Sequence, residues 1–218
     1  MTRNHLSFIT AAGLVAVVFS SVWQFASSAA IAEGTTTILR VEEDWELVIG
    51  TPNPNSVSPQ ITCVFAPTGN FNSLSGVFEL NHQSQPKFAV GGLHIHVWKG
   101  EFPLTIKSSH GLNVMSHGNE TVRWTQAMTL VNGHLVVEVS DGTSTTWGAF
   151  GNDGNLKTTA PTTLVNLNTY NPQFSVDNSG VGYAAHRVKS LVLKRIRLIA
   201  ADGNVSEDSN ARTVFPQN

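Results

Sequence analysis

From about residue 40 onward the chain alternates. Gln60-Ile61-Thr62-Cys63-Val64-Phe65, Leu93-His94-Ile95-His96-Val97-Trp98 and His134-Leu135-Val136-Val137-Glu138-Val139 all carry apolar side chains at alternate positions. That is the period of an extended strand with two different faces. Strands are predicted over 44–49, 60–66, 74–81, 92–99, 104–107, 120–131, 134–140, 145–150, 163–167 and 188–200. Groups of Gly, Asn, Asp, Ser and Pro separate them, at 52–55, 68–70, 90–92, 116–119, 151–155 and 177–180. The sharpest turn signal is Asn132-Gly133. Both residues tolerate the positive φ of a type I′ turn, so 120–131 and 134–140 should form a hairpin. Past residue 33, no window of about 12 residues carries an apolar stripe at helical spacing between start and stop residues. Strands in series without helices predict one all-β domain over 33–201, mostly antiparallel, as a sandwich or closed barrel. The polar, aperiodic tail 202–218 is expected to be poorly ordered.

A different pattern opens the chain. Met1 to His5 holds one Arg, 6–23 is apolar and uncharged, and 26–32 is a run of small residues ending in Ala30-Ile31-Ala32. This is the layout of an export signal cleaved after about residue 32. An uncleaved anchor is the alternative, but a span needs roughly 20 apolar residues, and Ser7, Thr10, Ser20 and Ser21 interrupt this run. The expected product is exported, to the periplasm, cell surface or medium, without stable membrane insertion.

Removing 1–32 takes one of the 13 basic residues and none of the 15 acids, so the net charge becomes 12 − 15 = −3. Clustered cations for phosphates are absent, and 189–198 alternates Lys and Arg with apolar residues as a half-wet strand does. Nucleic acid is therefore not an expected partner. Cys63 is the only cysteine, which excludes an internal disulfide and a Cys-based zinc site. Within its apolar run it reads as a buried small hydrophobe.

Alternation also sorts the candidate chemistry. With Leu93, Ile95 and Val97 facing the core, His94, His96 and Trp98 share the opposite face. Val77, Glu79 and Asn81 project outward beside inward Phe78 and Leu80, as do His134, Val136, Glu138 and Ser140 beside inward Leu135, Val137 and Val139. If these strands are neighbours, one face collects Glu79, Asn81, His94, His96, Trp98 and Glu138, with Arg123 nearby. Planar amides and carboxylates suit pairs of sugar hydroxyls, and an indole stacks on the C–H side of a sugar ring. His-x-His can also hold zinc, with Glu79, Glu138, His110, His117 or His134 as further ligands brought in by the fold. Glu79 and Glu138 at about 5–9 Å would suit glycoside hydrolysis. A plain solvated sheet face is the third reading. Glu42-Glu43-Asp44 reads as a solvated edge that discourages strand pairing. Loop oxygens at 152–155 or 177–179 could take calcium, although turn chemistry accounts for both. No Gly-x-Ser-x-Gly elbow or phosphate-binding glycine loop is present. The sequons at Asn119 and Asn204 matter only in a host that glycosylates exported proteins.

The stretch Leu130-Val131-Asn132-Gly133-His134-Leu135-Val136-Val137-Glu138-Val139-Ser140-Asp141-Gly142, with Trp147-Gly148 after it, resembles the central hairpin of concanavalin A-like (laminin G-like) jelly-roll sandwiches. The segment 182–198 is similar to the last strand of that fold, which pairs back near the first. The resemblance is one of pattern over roughly 40–200. It implies a jelly-roll sandwich and carbohydrate binding. The Glu-x-Asp-x-x-Glu strand of the hydrolases in that group is missing, which counts against glycan hydrolysis. The resulting expectation is an exported, non-catalytic lectin-like domain binding extracellular glycan through Trp98, His94, His96, Glu79, Asn81 and Glu138. It requires no cofactor; calcium or zinc is the minor variant. An extracellular enzyme built on the same acids or histidines, and a structural domain recognising a cell-surface protein, are the alternatives. Oligomeric state is left open by the sequence.

Overall fold

The computed structural model describes residues 36–50, 59–71, 74–80, 92–109, 118–145, 148–182 and 185–216. The expected export segment, the turns at 52–55 and 116–117, and Asn81, His110, His117 and Trp147 lie outside these residues.

Strand β1 (Ile38–Ile49) organises the larger sheet. Val41, Glu43, Trp45, Leu47 and Ile49 are buried, while Arg40, Glu42, Asp44, Glu46 and Val48 are only partly so. It pairs antiparallel on both sides, so that Leu47 lies opposite Val122 of β6 (Glu120–Val131) and Leu191 of β11 (Val188–Ala200). The expectation of an acidic edge at Glu42-Glu43-Asp44 is overturned: the strand is central. Arg197 and Arg195 on the neighbouring β11 pair with Glu42 and Asp44.

The chain then crosses to a second sheet. There β2 (Ile61–Phe65), β3 (Leu74–Leu80), β4 (Leu93–Lys99) and β5 (Phe102–Ser109) form an antiparallel meander. It returns through β6, β7 (His134–Ser144), β8 (Gly148–Phe150) and β9 (Lys157–Pro161). Helix α1 (Pro172–Asn178) and the short β10 (Gly180–Val181) precede β11, and β12 (Val205–Asp208) and β13 (Arg212–Phe215) close the chain. Sheet A is ordered β12-β11-β1-β6-β7-β8, with β13 also on β11 and β9 also on β7. Sheet B is ordered β10-β2-β3-β4-β5. The architecture is an antiparallel two-sheet sandwich compatible with a jelly roll, with the late strand β11 beside the opening β1.

Aromatic rings join the layers across the core. Phe78 of sheet B meets Trp124 of sheet A edge-on at 5.5 Å between ring centres and lies 6.5 Å from Phe150. Trp124 stacks in turn with its cross-strand neighbour Trp45 at 6.3 Å. Cys63 is buried in this core, as its apolar run implied. The predicted hairpin forms with Asn132 at φ 48° and Gly133 at φ 74°, so Val131 pairs with His134.

Three departures have physical causes. The strand expected at 163–167 lies instead at β9, and Val165 is 77% exposed, so β-branched residues there reflect propensity without burial. Helix α1 was not anticipated because seven residues are too few for an apolar stripe. Its own signals are Asn171, which caps it by accepting from the Gln173 backbone N–H at 3.0 Å, and Pro172 in the first turn. The tail expected to be poorly ordered carries β12 and β13, both paired with β11. It shows no periodicity because, among its described residues, only the adjacent Val214 and Phe215 reach the core, the second partly.

Candidate functional site

The outer surface of sheet B holds the main cluster. Antiparallel register sets Ser75 opposite Trp98, Val77 opposite His96 and Glu79 opposite His94. Partners across a ladder share a face, so Glu79, His94, His96 and Trp98 stand together on the side away from Phe78 and Ile95. Glu79 Oε2 comes within 3.2 Å of His96 Nε2, an ion pair when the imidazole is protonated, although that nitrogen makes no hydrogen bond. The second carboxylate oxygen accepts from Gln60 Nε2 at 3.4 Å. On its other side the His96 ring lies 6.1 Å from the indole of Trp98, tilted by 30°, and 5.9 Å from His94. Ile106 of β5, opposite His96 and 54% exposed, extends the same face towards the sheet edge.

Alternation separated the two faces correctly, but the second face is not uniformly wet. His94 is only 2% exposed and His96 9%, and Ser75 beside Trp98 is buried too. Trp98 and Glu79 are partly exposed. The histidines are therefore supports behind the surface: His96 touches Trp98 on one side and approaches Glu79 on the other.

Glu138 does not join this group. It lies on the outer face of sheet A, beyond the core from Glu79, and the two acids cannot flank one glycosidic bond. Arg123 is on sheet A as well, held by Glu46 at 2.7 Å. Spacing within a strand defined its faces; which strands become neighbours is a long-range fact that spacing does not contain. Glu138 belongs to a ladder of ion pairs. Arg40 bridges Glu42 and Glu138 at 2.7 Å each, Lys157 reaches Glu138 at 2.8 Å, and Arg195 and Arg197 reach Asp44 and Glu42 at 2.6 Å. Partial burial pushes the Glu138 carboxyl up, but hydrogen bonds from Lys157 and Arg40 outweigh it and hold the group below the usual carboxylate range.

A third constellation lies inside the sandwich and escaped sequence reasoning. Glu43, 1% exposed, points from β1 into the core and accepts from Tyr170 Oη at 2.6 Å, Ser175 Oγ at 2.5 Å, Gln126 Nε2 at 2.7 Å and Trp45 Nε1 at 3.0 Å. Burial raises its pKa more than these donors lower it. The only available signal was its inward position between Val41 and Trp45 in the alternation.

Among the described residues no group of three or more His, Cys, Asp and Glu side chains is placed to hold a metal. The loop oxygens at 152–155 are occupied by the turn itself. Asp153 accepts from the backbone N–H and side-chain amide of Asn155, and Asn152 Oδ1 accepts from the Asp141 N–H. No described helix is long and apolar enough to cross a membrane. The sequence matches no protein-family model and no curated protein.

Proposed function

We propose that the chain is an exported, non-catalytic carbohydrate-binding domain of concanavalin A-like jelly-roll type, taking extracellular glycan on the outer face of sheet B. The row Glu79–His96–Trp98 carries this reading. Trp98 offers a partly exposed indole for the C–H face of a sugar ring, Glu79 offers a carboxylate for its hydroxyls, and His96 packs between them while Gln60 donates to Glu79. His94 stands behind as a buried neighbour. Asn81 would extend the face if β3 continued in register, and Glu138 takes no part. Preorganised groups of this kind bind without paying rotamer entropy at the moment of contact.

A glycan array probed with the folded domain tests the proposal. A signal for at least one glycan, reduced tenfold or more in Trp98→Ala, is expected; no signal on any glycan refutes it. A protein partner is the second reading. Phe102, Leu104 and Ile106 are exposed along β5 and favour it. Direct β-pairing on that edge is discouraged by Pro103 and by the register irregularity opposite Val97 and Trp98.

A further inference from the structure

Glu43 occupies a mechanical position that glycan binding does not use. The segment 168–178 bridges the two sheets and is pinned at both ends. On sheet A, Leu167 N–H donates to the Ile38 carbonyl at 2.8 Å, and Asn168 Oδ1 accepts from Ile38 N–H at 2.9 Å. On sheet B, Ser179 Oγ accepts from Val64 N–H at 2.9 Å. Between these pins, the hydroxyls of Tyr170 and Ser175 both meet Glu43 Oε1. The other oxygen, Oε2, faces Trp45 Nε1 and Gln126 Nε2, which can only donate. A proton on the carboxyl therefore belongs on Oε1, where a hydroxyl oxygen can accept it.

We propose that Glu43, Tyr170 and Ser175 form a proton-operated latch: the protonated carboxyl holds the 168–178 segment closed over the side of the sandwich, and its deprotonation loosens that segment. The reason lies in what can move. A carboxylate without a cation in the core must gain water or be offset by donors alone, and no described Lys, Arg or His pairs with Glu43. β1 and β6 are fixed in the middle of sheet A, whereas the segment lies outside either ladder. Apart from the latch itself, it is held between its end pins by Thr169 Oγ donating to the Pro67 carbonyl at 3.3 Å, by Phe174 edge-on to Phe71 and by Tyr170 and Val176 against the core. Water is admitted by displacing the segment.

The titratable groups facing the latch are few. β2 contributes the Cys63 thiol, pushed well up by burial and further by Glu43. The segment contributes Tyr170, raised by burial and by the same carboxyl. From β13, Arg212 acts on Tyr170 at longer range while bound to Asp208. Asp177 of α1 is turned to Gln173, and β6 presents the uncharged Gln126.

Hydrogen exchange of the folded domain, followed by mass spectrometry across a pH series and corrected for intrinsic exchange, reads the latch directly. Protection of 168–178 should fall by up to tenfold per pH unit as pH rises from the ordinary carboxylate range to the raised Glu43 titration, and level off above it, because one proton is linked to opening. β1 and β6 should show no such slope. Glu43→Gln should remove the slope, leaving corrected protection independent of pH. A flat wild-type profile, or equal slopes in wild type and variant, overturns the latch. If Glu43→Gln does not fold, carbon-13 carboxyl titration of the wild type decides. One Glu signal titrating above the ordinary range, with the midpoint of the exchange profile, supports the latch; all Glu signals at or below that range refute it.

Discussion

The two outer faces of this sandwich rest on the same core and are finished in opposite ways. Sheet A turns out a ladder of alternating charges, Arg40, Glu42, Asp44 and Glu46 on β1 with Arg195 and Arg197 beside them, in which each acid meets a cation. Sheet B turns out an indole, one carboxylate and a thinning edge of aliphatic side chains, with two buried imidazoles behind them. A ladder whose charges satisfy one another has little left to offer a ligand, and its half-exposed pairs contribute only ~0.2–1 kcal/mol each. Sheet B leaves an aromatic surface and a partly committed acid. The difference teaches that polar residues on an outward face are not interchangeable: those already paired across strands stabilise, and those left over can recognise.

The comparison can be broken most severely from beneath. Phe78→Ala removes the ring that links Trp124 and Phe150 across the layers. It should cost about 3–5 kcal/mol by denaturant unfolding and weaken both faces together in one transition. Trp98→Ala sharpens the contrast. Glycan affinity should drop tenfold or more, equivalent to about 1.4 kcal/mol, while unfolding shifts by at most about 1.5 kcal/mol for the lost ring contact. Asp44→Asn is its mirror on sheet A. Weakening the contact from Arg195 at 2.6 Å should cost about 1 kcal/mol, less at high salt, and leave glycan affinity unchanged. The smallest effect is on pH. Glu138 titrates below its ordinary value of 4.5, so its stabilisation is present above that value and lost as pH falls through the lowered one. Glu138→Gln should flatten the acid limb of stability by about 0.5 kcal/mol, the discount reflecting its partial exposure.

Much of the fold was legible in the sequence. Strands β6 and β11 begin and end where the alternation placed them, and the Asn132-Gly133 turn forms with both φ angles positive. The inward sets Leu93-Ile95-Val97 and Leu135-Val137-Val139 are buried as the pattern required. The candidate site was legible only within strands. Glu79, His94, His96 and Trp98 come together because β3 and β4 are consecutive in chain and sheet, whereas Glu138 was grouped with them on an adjacency that the topology denies. Period two tells a residue's face, not whether that face is covered, which is why His94 and His96 were expected in water. Glu43 was hidden by its acidic neighbours: three acids in a row suggested a wet edge, although the middle one shares its parity with Val41 and Trp45.

The central claim is that ligand meets the molecule at Trp98. Indole nitrogen-15 NMR during a titration with an array-positive glycan tests it, because Trp45 and Trp124 are buried and serve as internal controls. The Trp98 signal should move in a saturable way while those two stay in place. A glycan that binds and leaves the Trp98 signal unmoved would contradict the account.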